Sequence, residues 1–508
     1  MSDDNVFVEV AEVAAATPGL PAFVADEIWT YQDLLAAACR VSGSLSRCGV
    51  GPGDRVVISL DNSPEFCVVM LAAWRIGACI VPDLPHQPVA ALQRRIEQCE
   101  AKVLVIGESA LRMMKPNKTE HDVAAGVVTP QDLFTLAGDE GAELPSQAHH
   151  DPAMVIFTSG TTGVQKGVML SHRALLFNAR TVISELGMTS NDSAIAQLPF
   201  AYSYGNSLLM THLLSGACLV TGRAFSFPQE ILGALREQRV TGFSTVGSFL
   251  RKLVAQSNFS MDDFSGLRYF TVAGEQPPWT VLGTLREGLP ALNVVVMYGQ
   301  TEATARLTMM QGEELDEHPG SVGRAIPGVS IRVVNANGEV VDPGVVGEVE
   351  AHGPSVMSGY WGSDDQAAAA IRDGWLRTGD TGYLDEDSYL YLSGRREDLL
   401  KVNGHRVSPF EIEAVIDSFP GVVESVLVQI ERDLIKGDEG LFAWVVWEEG
   451  VLSDSPGLYG HLRRHLPAFK IPKGVFHTDV MPRTGVGKLN REQLRRRTVE
   501  RVGKSNVG

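Results

Sequence analysis

Short apolar, β-rich runs alternate with helical stretches along most of this chain, and that rhythm limits its fold more than any single residue does. A helical stretch, Tyr31–Arg47, leads through Gly49, Gly51 and Gly53 to a strand at Arg55–Leu60; a helix around Pro64–Ile76 and a strand at Ala78–Val81 follow. Lys102–Ile106, Ala194–Leu198, Cys218–Thr221, Gly242–Val246, Tyr269–Ala273 and Asn293–Tyr298 continue the series. Such βα alternation predicts mainly parallel sheets covered by helices. After Gly320 the texture changes. Val329–Val334 and Val346–Ala351, with Asn337-Gly338 as a turn signal, predict hairpin material and a β-rich subdomain.

A length of 508 residues exceeds one ordinary core. From near Gly394 a second unit is legible: a helix at Pro409–Ser418, strands at Glu424–Gln429 and Leu441–Trp447, a helix at Leu458–Leu466 and a basic tail. The expected division is a large α/β domain over residues 1–394 and a small α+β domain over 395–508. Neither a fixed-period repeat nor a low-complexity linker is present, so the junction is expected to be a short hinge.

A formal charge of −18 argues against nucleic-acid or anionic-membrane partners. The six cysteines are scattered, with no close pair and no histidine cluster beside them, which predicts reduced thiols in the interior. The opening residues do not read as a secretory leader, and there is no run of 18 apolar residues. The expectation is a cytoplasmic protein without a membrane span.

The sharpest local feature is Thr158-Ser159-Gly160-Thr161-Thr162-Gly163-Val164-Gln165-Lys166-Gly167, directly after the apolar run Met154–Phe157. Glycines let the backbone turn tightly and aim N–H groups inward, while the hydroxyls and Lys166 add donors for phosphate oxygens. A strand, a glycine-rich turn and then a helix from His172 is a context that holds phosphate. The spacing is not that of a Walker loop.

This loop resembles the phosphate-binding signature of the adenylate-forming superfamily, which includes acyl- and aryl-CoA ligases, peptide-synthetase adenylation domains and luciferases. Further matches follow in the family's order. They are Ala273-Gly274-Glu275, Tyr298-Gly299-Gln300-Thr301-Glu302, Gly374–Asp380, Gly394–Asp398, Asn403–Glu413 and Pro482–Lys488. The resemblance spans essentially the whole chain. It implies a multi-layer N-terminal domain and a small mobile C-terminal domain, with ATP and Mg²⁺ used to join a carboxylic acid to AMP.

By this resemblance Thr158, Ser159, Gly160, Thr161, Thr162, Gly163 and Lys166 hold phosphate. Tyr298 and Gly299 belong to the adenine-binding stretch, with Tyr298 stacking on the base while backbone at Gly274 and Glu275 reads its edge. Asp380 accepts from both ribose hydroxyls, since a carboxylate offers two acceptors to a vicinal diol, and Arg395 supports it. Thr301 contacts the α-phosphate and Glu302 holds Mg²⁺, a cation that favours oxygen ligands. Lys488 bridges the acid's carboxylate and the α-phosphate, where a point charge on a flexible stem can follow developing charge. Arg406 contacts phosphate, Glu397 is the hinge, and Gly404 leaves a tunnel narrow enough for a pantetheine arm.

Tyr202, Ser203, Val246, Gly247 and Gly274 are expected to line the acid pocket. CoA ligases often carry a histidine where Tyr202 stands, and amino-acid-activating relatives carry an aspartate where Ser203 stands. An unpaired ammonium in an apolar pocket is costly, so an aromatic, cyclic or short aliphatic acid without an α-amine is expected. Gly353–Trp361 resembles the CoA-ligase branch, which makes CoA the expected acceptor; an amine or a separate carrier protein are the alternatives.

Overall fold

The computed structural model describes residues 5–114, 126–136, 152–158, 165–222, 228–255, 264–275, 279–395, 400–402, 405–430, 440–448, 454–483 and 489–505. Two compact units emerge: Met1–Arg332 with Glu350–Thr378, and Val333–Val349 with Gly379–Gly508.

The first unit holds the predicted parallel sheets. In the seven-stranded sheet, Met154–Thr158, Cys79–Asp83, Arg55–Ser59, Val103–Ile106 and Gly126–Val128 run parallel in that spatial order. The central strands Cys79–Asp83, Arg55–Ser59 and Val103–Ile106 are buried on both faces, hence their valine- and isoleucine-rich runs, whereas the edge strand Gly126–Val128 is not. The nine-stranded sheet carries Asn293–Tyr298, Tyr269–Val272, Gly242–Thr245, Ser193–Ile195, Cys218–Val220 and Pro21–Val24 in parallel, with antiparallel strands at both edges.

One local expectation is corrected. The glycine-rich stretch does not run from a strand into a helix. Lys166–Leu170 forms a strand antiparallel to Met154–Thr158, pairing Thr158 with Lys166 and Phe157 with Gly167. The stretch is therefore the connection of a hairpin, and the helix His172–Leu186 begins only after that second strand, capped by Ser171. Gly167 is required there, because a Cβ would lie 2.9 Å from Val155 Cγ1 and 3.1 Å from both Phe157 and Trp361.

The β-rich material forms a five-stranded sheet of Ser330–Val334, Gly347–His352, Trp375–Leu384, Ile371–Arg372 and Leu390–Arg395. The predicted turn is present: Gly338 has φ +85° and its N–H donates to Asn335 O.

In the second unit the strands Val422–Ile430, Gly440–Trp447 and Gly474–His477 form one sheet. Alternation sorts their side chains between two cores. Leu427, Leu441, Ala443 and Val445 meet Ile412, Ile416, Leu458 and Leu462 from the helices Pro409–Asp417 and Ser455–His465. Val426, Val428, Phe442 and Trp444 meet Leu494 from the helix Arg491–Ser505.

All six cysteines are free, as expected, although only Cys67, Cys79 and Cys99 are fully buried. Burial pushes the Cys99 and Cys218 thiols up to about 11, so both stay protonated. No described helix is long and apolar enough to cross a membrane.

Candidate active site

The register Thr245–Val272–Val296 brings the carboxyl ends of three parallel strands side by side, the third running two residues further to Tyr298. The segments following them contain Val246, Gly247, Gly274, Glu275, Tyr298 and Thr301. Ligands of open α/β sheets bind at such carboxyl edges. Gly274 adopts φ +83°, and a Cβ there would stand 3.6 Å from Val246 Cγ1, so these two predicted pocket residues adjoin. Glu275 has a side-chain role the motif did not reveal. Its Oε2 accepts from Ser248 N at 2.6 Å, near the start of the helix Gly247–Ala255.

Tyr298 ends its strand almost fully buried. Beyond it the chain doubles back so tightly that a Cβ on Gly299 would fall 2.0 Å from Ala305 O. Thr301–Ala303 then form a single 3₁₀ turn. Thr301 Oγ1 donates to Ser203 Oγ at 3.2 Å, joining a predicted phosphate contact to a predicted acid-pocket residue. Met357 N donates to Glu302 O at 2.8 Å, and Thr304 Oγ1 donates to Ser355 O at 2.6 Å. The turn is thus sewn to the segment that precedes Tyr360.

Tyr360 joins two of the predicted site residues, a link that its motif did not single out. Its hydroxyl donates to Glu302 Oε1 at 3.0 Å, and Lys166 Nζ lies 5.2 Å from its ring centroid. Burial, and then the charge of Glu302, raise the Tyr360 hydroxyl above its ordinary value, so it remains a donor. One aromatic side chain links the residue predicted to hold Mg²⁺ with the lysine at the neck of the hairpin predicted to hold phosphate. Its only local sign was its place in the run Gly359-Tyr360-Trp361, which paired with the hairpin in space: Trp361 N donates to Gly167 O at 2.7 Å.

Tyr202 precedes the helix Ser203–Ser215. Its hydroxyl is buried without a hydrogen-bond partner among the described residues, as are Thr245 Oγ1 and Gln300 Nε2. Burial, and then the charge of Asp83, raise the Tyr202 hydroxyl.

In the second unit Asp380 and Arg395 face each other across two strands, and Arg395 Nε lies 3.3 Å from Asp380 Oδ1. Asp380 is 8 % exposed. Arg406 lies on the strand His405–Val407, opposite Lys401. Ser159, Gly160, Thr161, Thr162, Gly163, Glu397, Gly404 and Lys488 lie outside the described residues.

Comparison with known proteins shows the family. Residues 10–361 match the AMP-binding enzyme family, and residues 411–488 match the C-terminal domain of AMP-binding enzymes. A feruloyl-CoA synthase from an Amycolatopsis species is 30% identical, over 92% of this chain and 94% of its own. ATP-bound MatB from Rhodopseudomonas palustris superposes with a TM-score of 0.88 at 28% identity, over 98% of this chain and 100% of that one. MenE from Bacillus subtilis, an o-succinylbenzoate CoA synthetase, has been solved with the acyl-adenylate OSB-AMP (TM-score 0.83, 28% identity, 96% and 97% covered). It has also been solved with ATP and magnesium ion. The chain therefore belongs to the AMP-binding enzyme family and is an ATP-dependent, AMP-forming acid ligase.

Proposed function

We propose that this ligase activates an aryl or other amine-free carboxylic acid and transfers its acyl group to CoA. In the first half-reaction a carboxylate oxygen attacks the α-phosphorus of ATP. The bond to the α–β bridging oxygen breaks, and pyrophosphate leaves. In the second, the CoA thiolate attacks the acyl carbonyl carbon and AMP departs. Charge stabilisation and positioning carry the first step, with no covalent enzyme intermediate.

The observation that carries this reading is the Lys166–Tyr360–Glu302 arrangement beside the Thr301–Ser203 hydrogen bond. It sets cationic, anionic and hydroxyl groups where triphosphate and acid must meet. Thr301 contacts the α-phosphate, leaving the β- and γ-phosphates to the hairpin with Thr158 and Lys166. Tyr298 stacks on adenine beside Gly274 and Glu275, and Asp380 with Arg395 takes the ribose. Lys488 bridges carboxylate and α-phosphate, Arg406 assists, and rotation at Glu397 brings Gly404 into place for the pantetheine arm. Motion about that hinge divides the chain functionally at 394/395.

Glu302 suits Mg²⁺. Its Oε2 makes no hydrogen bond among the described residues, and no cluster of three or more His, Cys, Asp or Glu side chains occurs among them. A single carboxylate fits a cation that arrives with phosphate oxygens as its other ligands. Bound there, Mg²⁺ neutralises phosphate charge.

No acidic side chain replaces Ser203 to pair with an α-ammonium, and the buried, unpartnered Tyr202, Thr245 and Gln300 groups offer hydrogen bonds to a bound acid or nucleotide. The feruloyl and o-succinylbenzoyl relatives are named for aromatic acids, which supports an aryl acid as the first candidate. A cytoplasmic location, where ATP and CoA are at hand, fits this chemistry.

Lys488→Ala tests the two-step account. The variant is expected to lose acyl-adenylate formation while still converting supplied acyl-adenylate and CoA to thioester. Equal loss of both half-reactions overturns the assignment of Lys488.

A further inference from the structure

The neck of the phosphate hairpin is gripped by a side chain from outside it. Arg95, on the helix Val89–Cys99, is 6 % exposed, and it spends donors in three directions. Nε donates to Asp83 Oδ2 at 3.0 Å, one terminal nitrogen donates to Gln98 Oε1 at 3.2 Å, and the other donates to Gln165 Oε1 at 2.8 Å. The guanidinium carbon also lies 3.8 Å from the Phe157 ring centroid. Phe157 is on the strand entering the hairpin connection and Gln165 immediately follows that connection. Asp83, at the end of a neighbouring strand in the same sheet, fixes the guanidinium from behind.

We propose that Arg95 is a positioning residue that holds the entry and exit stems of the phosphate hairpin in register, and thereby sets affinity for the β- and γ-phosphates of ATP. Its effect passes through Gln165 to the adjacent Lys166, and through Phe157 to the adjacent Thr158. The geometry demands arginine: a planar fork can serve Asp83, Gln98 and Gln165 while stacking on an aromatic face, which a lysine ammonium cannot do. Burial raises the stakes at the Asp83 end, where both side chains are largely shielded from water, whereas Gln98 and Gln165 are exposed. The inference rests on reading the hairpin connection as the ATP phosphate site.

The test compares binding of MgATP with binding of AMP, which lacks the two outer phosphates, by calorimetry on the full chain. Arg95→Lys is expected to weaken MgATP about tenfold while AMP stays within about twofold. Gln165→Ala removes only the exposed end of the grip and is expected to weaken MgATP about threefold at an unchanged melting temperature. This second variant decides the matter if Arg95→Lys fails to fold. Arg268→Lys, at the Asp192 pair in the other sheet, is expected to lower the melting temperature without changing the ratio of the two affinities. Equal weakening of MgATP and AMP in the Arg95 and Gln165 variants, or no weakening in Gln165→Ala, overturns the proposal. Lys166→Ala separates the two ways it can fail. If only that variant changes the ratio, the phosphate-site reading stands and the grip is wrong; if Lys166→Ala leaves the ratio unchanged, the phosphate-site reading falls and takes the proposal with it.

Discussion

The Tyr360 hydroxyl donates to Glu302 Oε1 across 3.0 Å, although 58 residues separate the two in sequence. The bond fixes one carboxylate oxygen, and the other, which makes no hydrogen bond among the described residues, is the one proposed to meet Mg²⁺. Tyr360→Phe removes the donor but keeps the ring near Lys166. A hydrogen bond to a charged group is worth about 1.5–3 kcal/mol, so adenylation efficiency, as kcat/KM for MgATP, is expected to fall about tenfold or more. The Mg²⁺ concentration giving half-maximal rate is expected to rise. Unchanged Mg²⁺ dependence would show that the tyrosine does not serve the carboxylate.

Gly299 and Gly338 separate two reasons for a glycine. At Gly299 a Cβ would collide with the backbone of Ala305 and Arg306, which cannot swing aside, so the turn carrying Thr301 and Glu302 must open. Gly299→Ala is expected to cost about 3 kcal/mol in denaturant unfolding, at the upper end of overpacking penalties, and to reduce adenylation at least about tenfold. Gly338 has open space and only its φ of +85° to defend. Gly338→Ala is expected to cost about 1 kcal/mol and leave the rate unchanged.

These residues also mark what the sequence could reveal. The parallel strands were legible because burial on both faces demands continuous β-branched runs, and the nucleotide motifs because glycine spacing and hydroxyl density are local properties. The strand Lys166–Leu170 was overlooked because it is short and follows a glycine-rich turn whose usual sequel is a helix. Arg95 left no local sign, and Tyr360 only its place in the stretch Gly353–Trp361. Each acts on a residue 58 or 70 positions away, and no local pattern encodes a contact that exists only after the sheet has formed. The roles of Glu397, Gly404 and Lys488 rest on motif position alone.

Asp380 presents a carboxylate braced by Arg395. Asp380→Asn keeps the size and removes one acceptor and the charge. Because ribose is common to ATP and AMP, binding of both is expected to weaken by about tenfold. Loss confined to ATP would move Asp380 away from the ribose.

His212 supplies a pH signature unrelated to catalysis. It is 1 % exposed, its Nδ1 faces Leu208 O at 2.8 Å, and burial lowers its pKa from 6.5 to about 4. Above pH 6.5 both folded and unfolded states are neutral at this site. As pH falls from 6.5 towards 4 the unfolded chain takes up a proton that the folded chain refuses, so stability declines by about 3 kcal/mol. Equilibrium unfolding across that window should show a shallower decline in His212→Gln than in the parent. Identical slopes would mean that the imidazole titrates normally in the fold.

The most direct test of the central claim is to incubate the protein with MgATP and a panel of aryl and short aliphatic acids, adding CoA, simple amines, a carrier protein or no acceptor, and to identify every product. The account predicts acid-dependent release of pyrophosphate and, with CoA present, AMP and an acyl-CoA thioester. Amides, or acylation of the carrier protein alone, would transfer the second half-reaction to another acceptor. Release of ADP in place of pyrophosphate would contradict the account.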